Sequence, residues 1–246
     1  MMPLRRFLAA ALLMAAPALL AGAAPARDVP PYTALLVAGD DSLPVFDNAV
    51  NAVATLLRRT GAATDVQRLS AAEAQGAGEA SLAGVLQAVR GLRPAPGQAC
   101  LVYATSHGVS GRGLYLAAGE DVLTPALLDR ALDAGCGAAP TVVVVSSCFS
   151  GLFANGAMAR PNRIVLTAAR ADRTSFGCGA GRTYTVYDKC LLDHLDEGGW
   201  PGLHAALRRC VAAEERRERV EPSLPQAWFG PRAAGLRGPG ANLTAQ

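Results

Sequence analysis

The sequence predicts an α/β fold, a mainly parallel central sheet with helices on both faces. Three observations carry that prediction. Apolar runs of strand length alternate with segments of helical periodicity from residue 32 onward. The run "TVVVVS" (141–146) sets four valines in a row, the pattern of a strand covered on both sides. Turn punctuation such as "RPAPGQ" (93–98) falls between the periodic segments and not inside them.

The elements follow in chain order. "YTALLVAG" (32–39) is a first buried strand. "FDNAVNAVATLLRRTG" (46–61) carries Val50, Val53, Ala54 and Leu57 at helical spacing, with Gly61 as its stop. "TDVQRL" (64–69) is a second strand and "EASLAGVLQAVRGL" (79–92) a second helix. "ACLVYATS" (99–106) is the third strand, and "GVSGRGLYLAAGED" (108–121) a loop with a short hairpin. Thr124-Pro125 opens a third helix, a capping hydroxyl followed by proline at the first helical position. The valine strand and "NRIVLTAAR" (162–170) come next, then helical patterns over 187–196 and 202–217. A Pro-rich stretch, "VEPSLPQAWFGP" (220–231), follows them.

Before the first strand, Arg5 and Arg6 precede the apolar run "FLAAALLMAAPALLAGAA". A-x-A-type sites stand at Ala21–Ala23 and Ala24–Ala26. This is the three-region pattern of a secretory signal peptide over 1–26, cleaved after Ala23 or Ala26. The expected organisation is that leader, one domain over 27–230, and a Pro/Gly-rich tail over 231–246. Without the two leader arginines, 21 basic residues face 20 acidic ones, a balance that gives no footprint for nucleic acid. A periplasmic or secreted protein, free of the membrane once cleaved, is expected.

Chemistry concentrates at two strand ends. The third strand runs into "YATSHG", so His107 stands at its carboxyl end, and Cys148 stands at the carboxyl end of the valine strand. Open α/β sheets place their chemistry on that rim. An imidazole beside a thiol promotes thiolate, which attacks a carbonyl carbon, and the imidazolium then protonates the leaving amine. Gly108 admits close approach of a substrate carbonyl, and the amides of Gly108 and Cys148 form an expected oxyanion hole. Ser147 and Ser150 lack the G-x-S-x-G frame of a serine hydrolase elbow. His194 and His204 fall on helical patterns as surface or packing residues. "GCGAG" (177–181) is a turn, not a dinucleotide loop, and "EERRER" (214–219) a solvated helical face.

The six cysteines, at 100, 136, 148, 178, 190 and 210, include no C-x-x-C pair, and the histidines are not at zinc spacing. Neither a metal nor a cofactor is implied. Cys100 lies within a strand pattern and is expected as a buried thiol. With Cys148 free for chemistry, Cys136, Cys178, Cys190 and Cys210 remain for two disulfides, in any of three connectivities.

"YATSHG", "VVVVSSCFSG" and "NRIVLTAARADRTSFGCG" resemble the legumain-type cysteine peptidases, the asparaginyl endopeptidases and the glycosylphosphatidylinositol transamidase catalytic subunit. The likeness is greatest to the family's small secreted bacterial members, and spans residue 32 to about residue 230. It implies a caspase-like (caspase/hemoglobinase) fold, with His107 as general base and acid, Cys148 as nucleophile, and a peptide or protein as substrate. The 41-residue separation of the two is also close to the ~50 of caspases.

Three positions depart from the family pattern. Ser106 precedes the histidine where legumains have aspartate. Ser146 stands where an acid two places before the nucleophile helps form the pocket for asparagine. Asp47-Asn48 aligns with an Arg-His pair. Asp47, Asn48 and Ser146 are therefore the candidate pocket residues, and asparagine specificity does not carry over. The roughly 30 residues after Arg217 are too few for the helical prodomain of the animal enzymes. Two further readings compete with a hydrolase: a transpeptidase or transamidase using the same dyad, and a non-catalytic peptidase-fold binding protein.

Overall fold

The computed structural model describes residues 32–72, 75–179, 181–195, 198–236 and 238–239. The expected leader (1–26) lies outside these residues, as do 237 and 240–246 of the expected tail.

In chain order the elements are β1 (Tyr32–Ala38), α1 (Val45–Arg59), β2 (Ala63–Ser70), β3 (Gly78–Glu79), α2 (Leu82–Gly91) and β4 (Ala99–Thr105). Three short strands follow: β5 (Gly108–Val109), β6 (Gly113–Leu116) and β7 (Asp121–Leu123). Then come α3 (Pro125–Gly135), β8 (Thr141–Ser146), β9 (Arg163–Thr167), α4 (Val186–His194), α5 (Trp200–Glu218) and β10 (Gln226–Phe229). Among the described residues the central sheet runs β10-β9-β8-β4-β1-β2-β3, parallel except for β10. The mainly parallel sheet predicted from sequence is therefore the one observed.

The valine run explains itself once both faces are covered. Val142 and Val144 point into one core with α1, α4 and α5, while Val143 and Val145 point into the other with α2 and α3. Side-chain hydroxyls start three helices by accepting a free first-turn amide: Ser81 from Gly84, Thr124 from Leu127 and Thr185 from Asp188. Of the described helices, none is long and apolar enough to cross a membrane.

Three expectations fail, each for a physical reason. Residues 226–229, read as part of a Pro-rich stretch, form β10 antiparallel to β9. Pro225 and Pro231 flank that strand without interrupting it, and an edge strand tolerates them because one side needs no ladder donors. The charged run 214–219 is not uniformly solvated: Glu215 is buried and accepts the Ser223 amide at 2.8 Å.

The third failure concerns cysteines. Cys100 is not a thiol; β4 alternation turns it toward α3, where it bonds Cys136 at that helix's end. Cys190 of α4 and Cys210 of α5 form the second bridge and staple two neighbouring helices. Cys178 takes no part in a disulfide; it lies on the loop before α4, packed at the edge of the core that α1, α4 and α5 share. Cys136, Cys190 and Cys210 are bridged as expected, and Cys148 is free.

Candidate active site

β4 and β8 are hydrogen-bonded neighbours whose last residues, Thr105 and Ser146, are register partners. His107 and Cys148 each lie two residues beyond that pair, at matching places on one rim of the sheet. The Ser106 amide extends the ladder by one bond, to Ser146 O at 3.2 Å. Adjacent strands lie about 4.8 Å apart. Register alone therefore brings the two reactive side chains to one rim.

Each small residue of the two motifs has a steric or polar reason. A Cβ on Gly108 would lie 1.9 Å from the Cys148 carbonyl oxygen, so the two backbones touch there and only glycine fits. The amides expected to bind an oxyanion thus belong to two segments in direct contact. A Cβ on Gly151 would fall 2.5 Å from the Ala171 amide. Ser150, buried, accepts the Ala169 amide at 3.1 Å, and Ser147 donates to the Cys148 carbonyl at 3.1 Å. Phe149 adopts a left-handed conformation with φ 58°, and its amide donates to Arg173 O at 2.7 Å. That turn reverses the chain immediately after Cys148. Left-handed backbone at a non-glycine residue is strain of the kind that collects at functional sites.

The histidine is positioned from two sides. Its carbonyl accepts the Tyr115 amide at 2.9 Å, and Ser106 Oγ donates to Tyr115 O at 2.7 Å, so β6 clamps the backbone. Phe46, buried in the first turn of α1, meets the imidazole edge-on with centroids 5.3 Å apart. Such contacts fix ring orientation. The Cys148 sulfur is held by Ser175, which donates its amide at 3.3 Å and accepts from the thiol at its carbonyl at 3.6 Å. In this state the thiol therefore faces the 170–176 loop. Catalytic contacts commonly tighten only when substrate arrives.

Beneath the rim lies a polar network that sequence reading missed. Asp188, in the first turn of α4, is fully buried and accepts Tyr103 Oη, Thr105 Oγ1 and Thr185 Oγ1, each at 2.8 Å. Burial raises its carboxyl above the ordinary carboxylate range, although the hydroxyls of Ser146, Tyr103, Thr105 and Thr185 pull the other way. Tyr103 is raised as well, by burial first and then by the Asp188 charge. The network ties the ends of β4 and β8 to α4, under the two candidate catalytic residues.

The three candidate pocket residues are placed differently. Ser146 is only 2% exposed, with its hydroxyl 3.5 Å from that of Thr185, so it belongs to the buried network. Asn48 donates to Thr183 O at 3.1 Å and lines a cavity of about 560 Å³ with Asn51, Thr183 and Tyr184. Asp47 is half-buried beside Phe46, the residue that touches His107. Phe46, Ser175 and Asp188 carried no residue-type signal of their own, because an apolar ring, a serine and a helical aspartate are common everywhere.

The sequence model of the Peptidase C13 family matches residues 78–197, a segment that includes both His107 and Cys148. No curated protein sequence matches the chain. Among solved structures, caspase-1 from Spodoptera frugiperda superposes with a TM-score of 0.58 at 12% identity, covering 82% of this chain and 87% of that one. The structure described as pro-sf-caspase-1 superposes with a TM-score of 0.58 at 11% identity, covering 82% and 92%. At such identities the likeness shows the fold, which is caspase-like.

Proposed function

We propose, from the match of residues 78–197 to the Peptidase C13 family model, that the chain is a periplasmic or secreted cysteine endopeptidase of that family. Cys148 is the nucleophile and His107 the general base and acid. The observation that carries this reading is the placement of both residues at equivalent positions beyond paired, adjacent strand ends. The imidazole accepts the thiol proton, and the thiolate attacks the scissile carbonyl. The Gly108 and Cys148 amides bind the oxyanion, and the imidazolium gives its proton to the leaving amine. Water then attacks the thioester with His107 again as base. Two disulfides accord with an oxidising compartment.

Cleavage of a mixed peptide library, with Cys148→Ala as control, tests the reading. Endoproteolytic products with wild type alone support it, and no cleavage by the reduced wild type contradicts it. An added amine nucleophile in the same reaction separates hydrolysis from transpeptidation by the products formed.

Asp47 gives the reading a substrate preference. A carboxylate in the first turn of α1, next to the phenyl ring that holds His107, favours arginine or lysine just before the cleaved bond through a charge-assisted hydrogen bond. Asp47 also lies in the first turn of α1, where a carboxylate favours the helix dipole, and the cap residue Pro44 makes no side-chain bond. Comparing Arg, Lys, Asn and Asp at that substrate position in wild type and Asp47→Asn separates the two roles. A basic preference that disappears in the variant is expected. A plain asparagine preference in wild type would exclude it.

A further inference from the structure

Among the described residues, two cysteines stand outside the disulfides, Cys148 and Cys178, and both are half-buried. Three of the four bridged cysteines are fully buried, whereas these two thiols keep access to solvent. They also lie in one another's neighbourhood. The Cys148 sulfur is bonded to the backbone of Ser175, three residues before Cys178. Three residues span at most about 11 Å of chain.

The loop is folded shorter than that limit. Phe176 O accepts the Val186 amide at 3.0 Å, and Gly177 sits at φ 99° where a Cβ would meet that same amide at 2.5 Å. The chain is thus turned back at the residue just before Cys178. The Cys178 thiol is raised by burial and, next, by the charge of Cys148. Arg182 and Asp40 act on it more weakly, in opposite directions.

We infer that Cys148 and Cys178 form a reversible redox pair, in which hydrogen peroxide converts them to a disulfide that silences the site and shields the nucleophile. The silencing rests on the proposed role of Cys148; the bond itself does not. Cys148 thiolate attacks one peroxide oxygen, giving sulfenic acid and hydroxide, a two-electron oxidation of sulfur. Cys178 then attacks that sulfur, the S–O bond breaks, and its thiol proton leaves with the hydroxyl as water. A disulfide needs Cα atoms within about 7 Å. Gly179 and Gly181 follow Cys178, and a Cβ on either would meet nothing within 4 Å, so no neighbouring atoms crowd the chain at these two positions. Without Cys178, a second hydrogen peroxide oxidises the sulfenic acid to sulfinic acid, releasing water, and dithiothreitol does not reverse that step.

The test uses the full mature chain, reduced, treated with hydrogen peroxide and digested without reduction. A linked peptide joining Cys148 to Cys178 is expected beside those joining Cys100 to Cys136 and Cys190 to Cys210. Peptidase activity disappears on oxidation and returns with dithiothreitol. Cys178→Ser keeps the starting activity but does not recover after peroxide, and carries sulfinic Cys148. An active wild type that yields no linked peptide overturns the inference, as does a Cys178→Ser variant that recovers like wild type. A linked peptide from a chain with no peptidase activity when reduced upholds the bond and removes the proposed function instead.

Discussion

Cys148→Ala and His107→Ala each lower peptide hydrolysis by about a thousandfold or more, and by similar amounts, because nucleophile and base act as one unit. The double variant loses little beyond either single one. Neither change unfolds the protein. Cys148 is half-buried and its sulfur bonds only the Ser175 loop, while His107 forfeits one edge contact with Phe46, worth about 1 kcal/mol. Urea unfolding of each variant beside wild type separates lost chemistry from lost structure. A single variant with full activity would remove that residue from the reaction.

Asp188→Ala has the largest expected effect on stability, about 3–5 kcal/mol, read as a fall in the urea midpoint. The substitution leaves the hydroxyls of Tyr103, Thr105 and Thr185 without their shared acceptor in a site closed to water. It also loosens the tie between α4 and the two strands that present His107 and Cys148, so activity falls too. Asp188→Asn keeps the shape and one acceptor oxygen and costs less. Its pH dependence has a definite sign. The folded-state carboxyl is raised, so the native protein binds the proton more tightly than the unfolded chain does. That contribution is full below the ordinary carboxylate value and is lost as pH rises through the raised one. The deficit of Asp188→Asn relative to wild type is therefore greatest in acid and shrinks as pH rises. A deficit that grows with pH would contradict the raised carboxyl.

Periodicity made the parallel core legible in the sequence because a strand covered on both faces has to be apolar throughout. The valine run and "ACLVYATS" are such strands, and each, as observed, ends two residues before a candidate catalytic residue. The sequence left open whether the two strands are neighbours, and the register of β4 on β8 supplies that adjacency. Position 226–229 was not legible, since an edge strand needs only one ladder and its prolines resemble loop punctuation. The cysteine pairing was half legible. Alternation in β4 assigns Cys100 to the α3 face, but only the packing of α3 shows that Cys136 arrives there. Asp188 illustrates the wider limit: its role depends on four hydroxyls from three separate elements, and none of their spacings marks them as a group.

The central claim is that Cys148 reacts because His107 stands beside it. Labelling of the reduced protein with a peptide carrying a thiol-reactive electrophile, followed by peptide mapping, tests this most directly. One label per chain on Cys148 is expected, with labelling strongly slowed in His107→Ala and absent in Cys148→Ala. Equal labelling of Cys178, or a Cys148 that reacts as fast without His107, would contradict the claim.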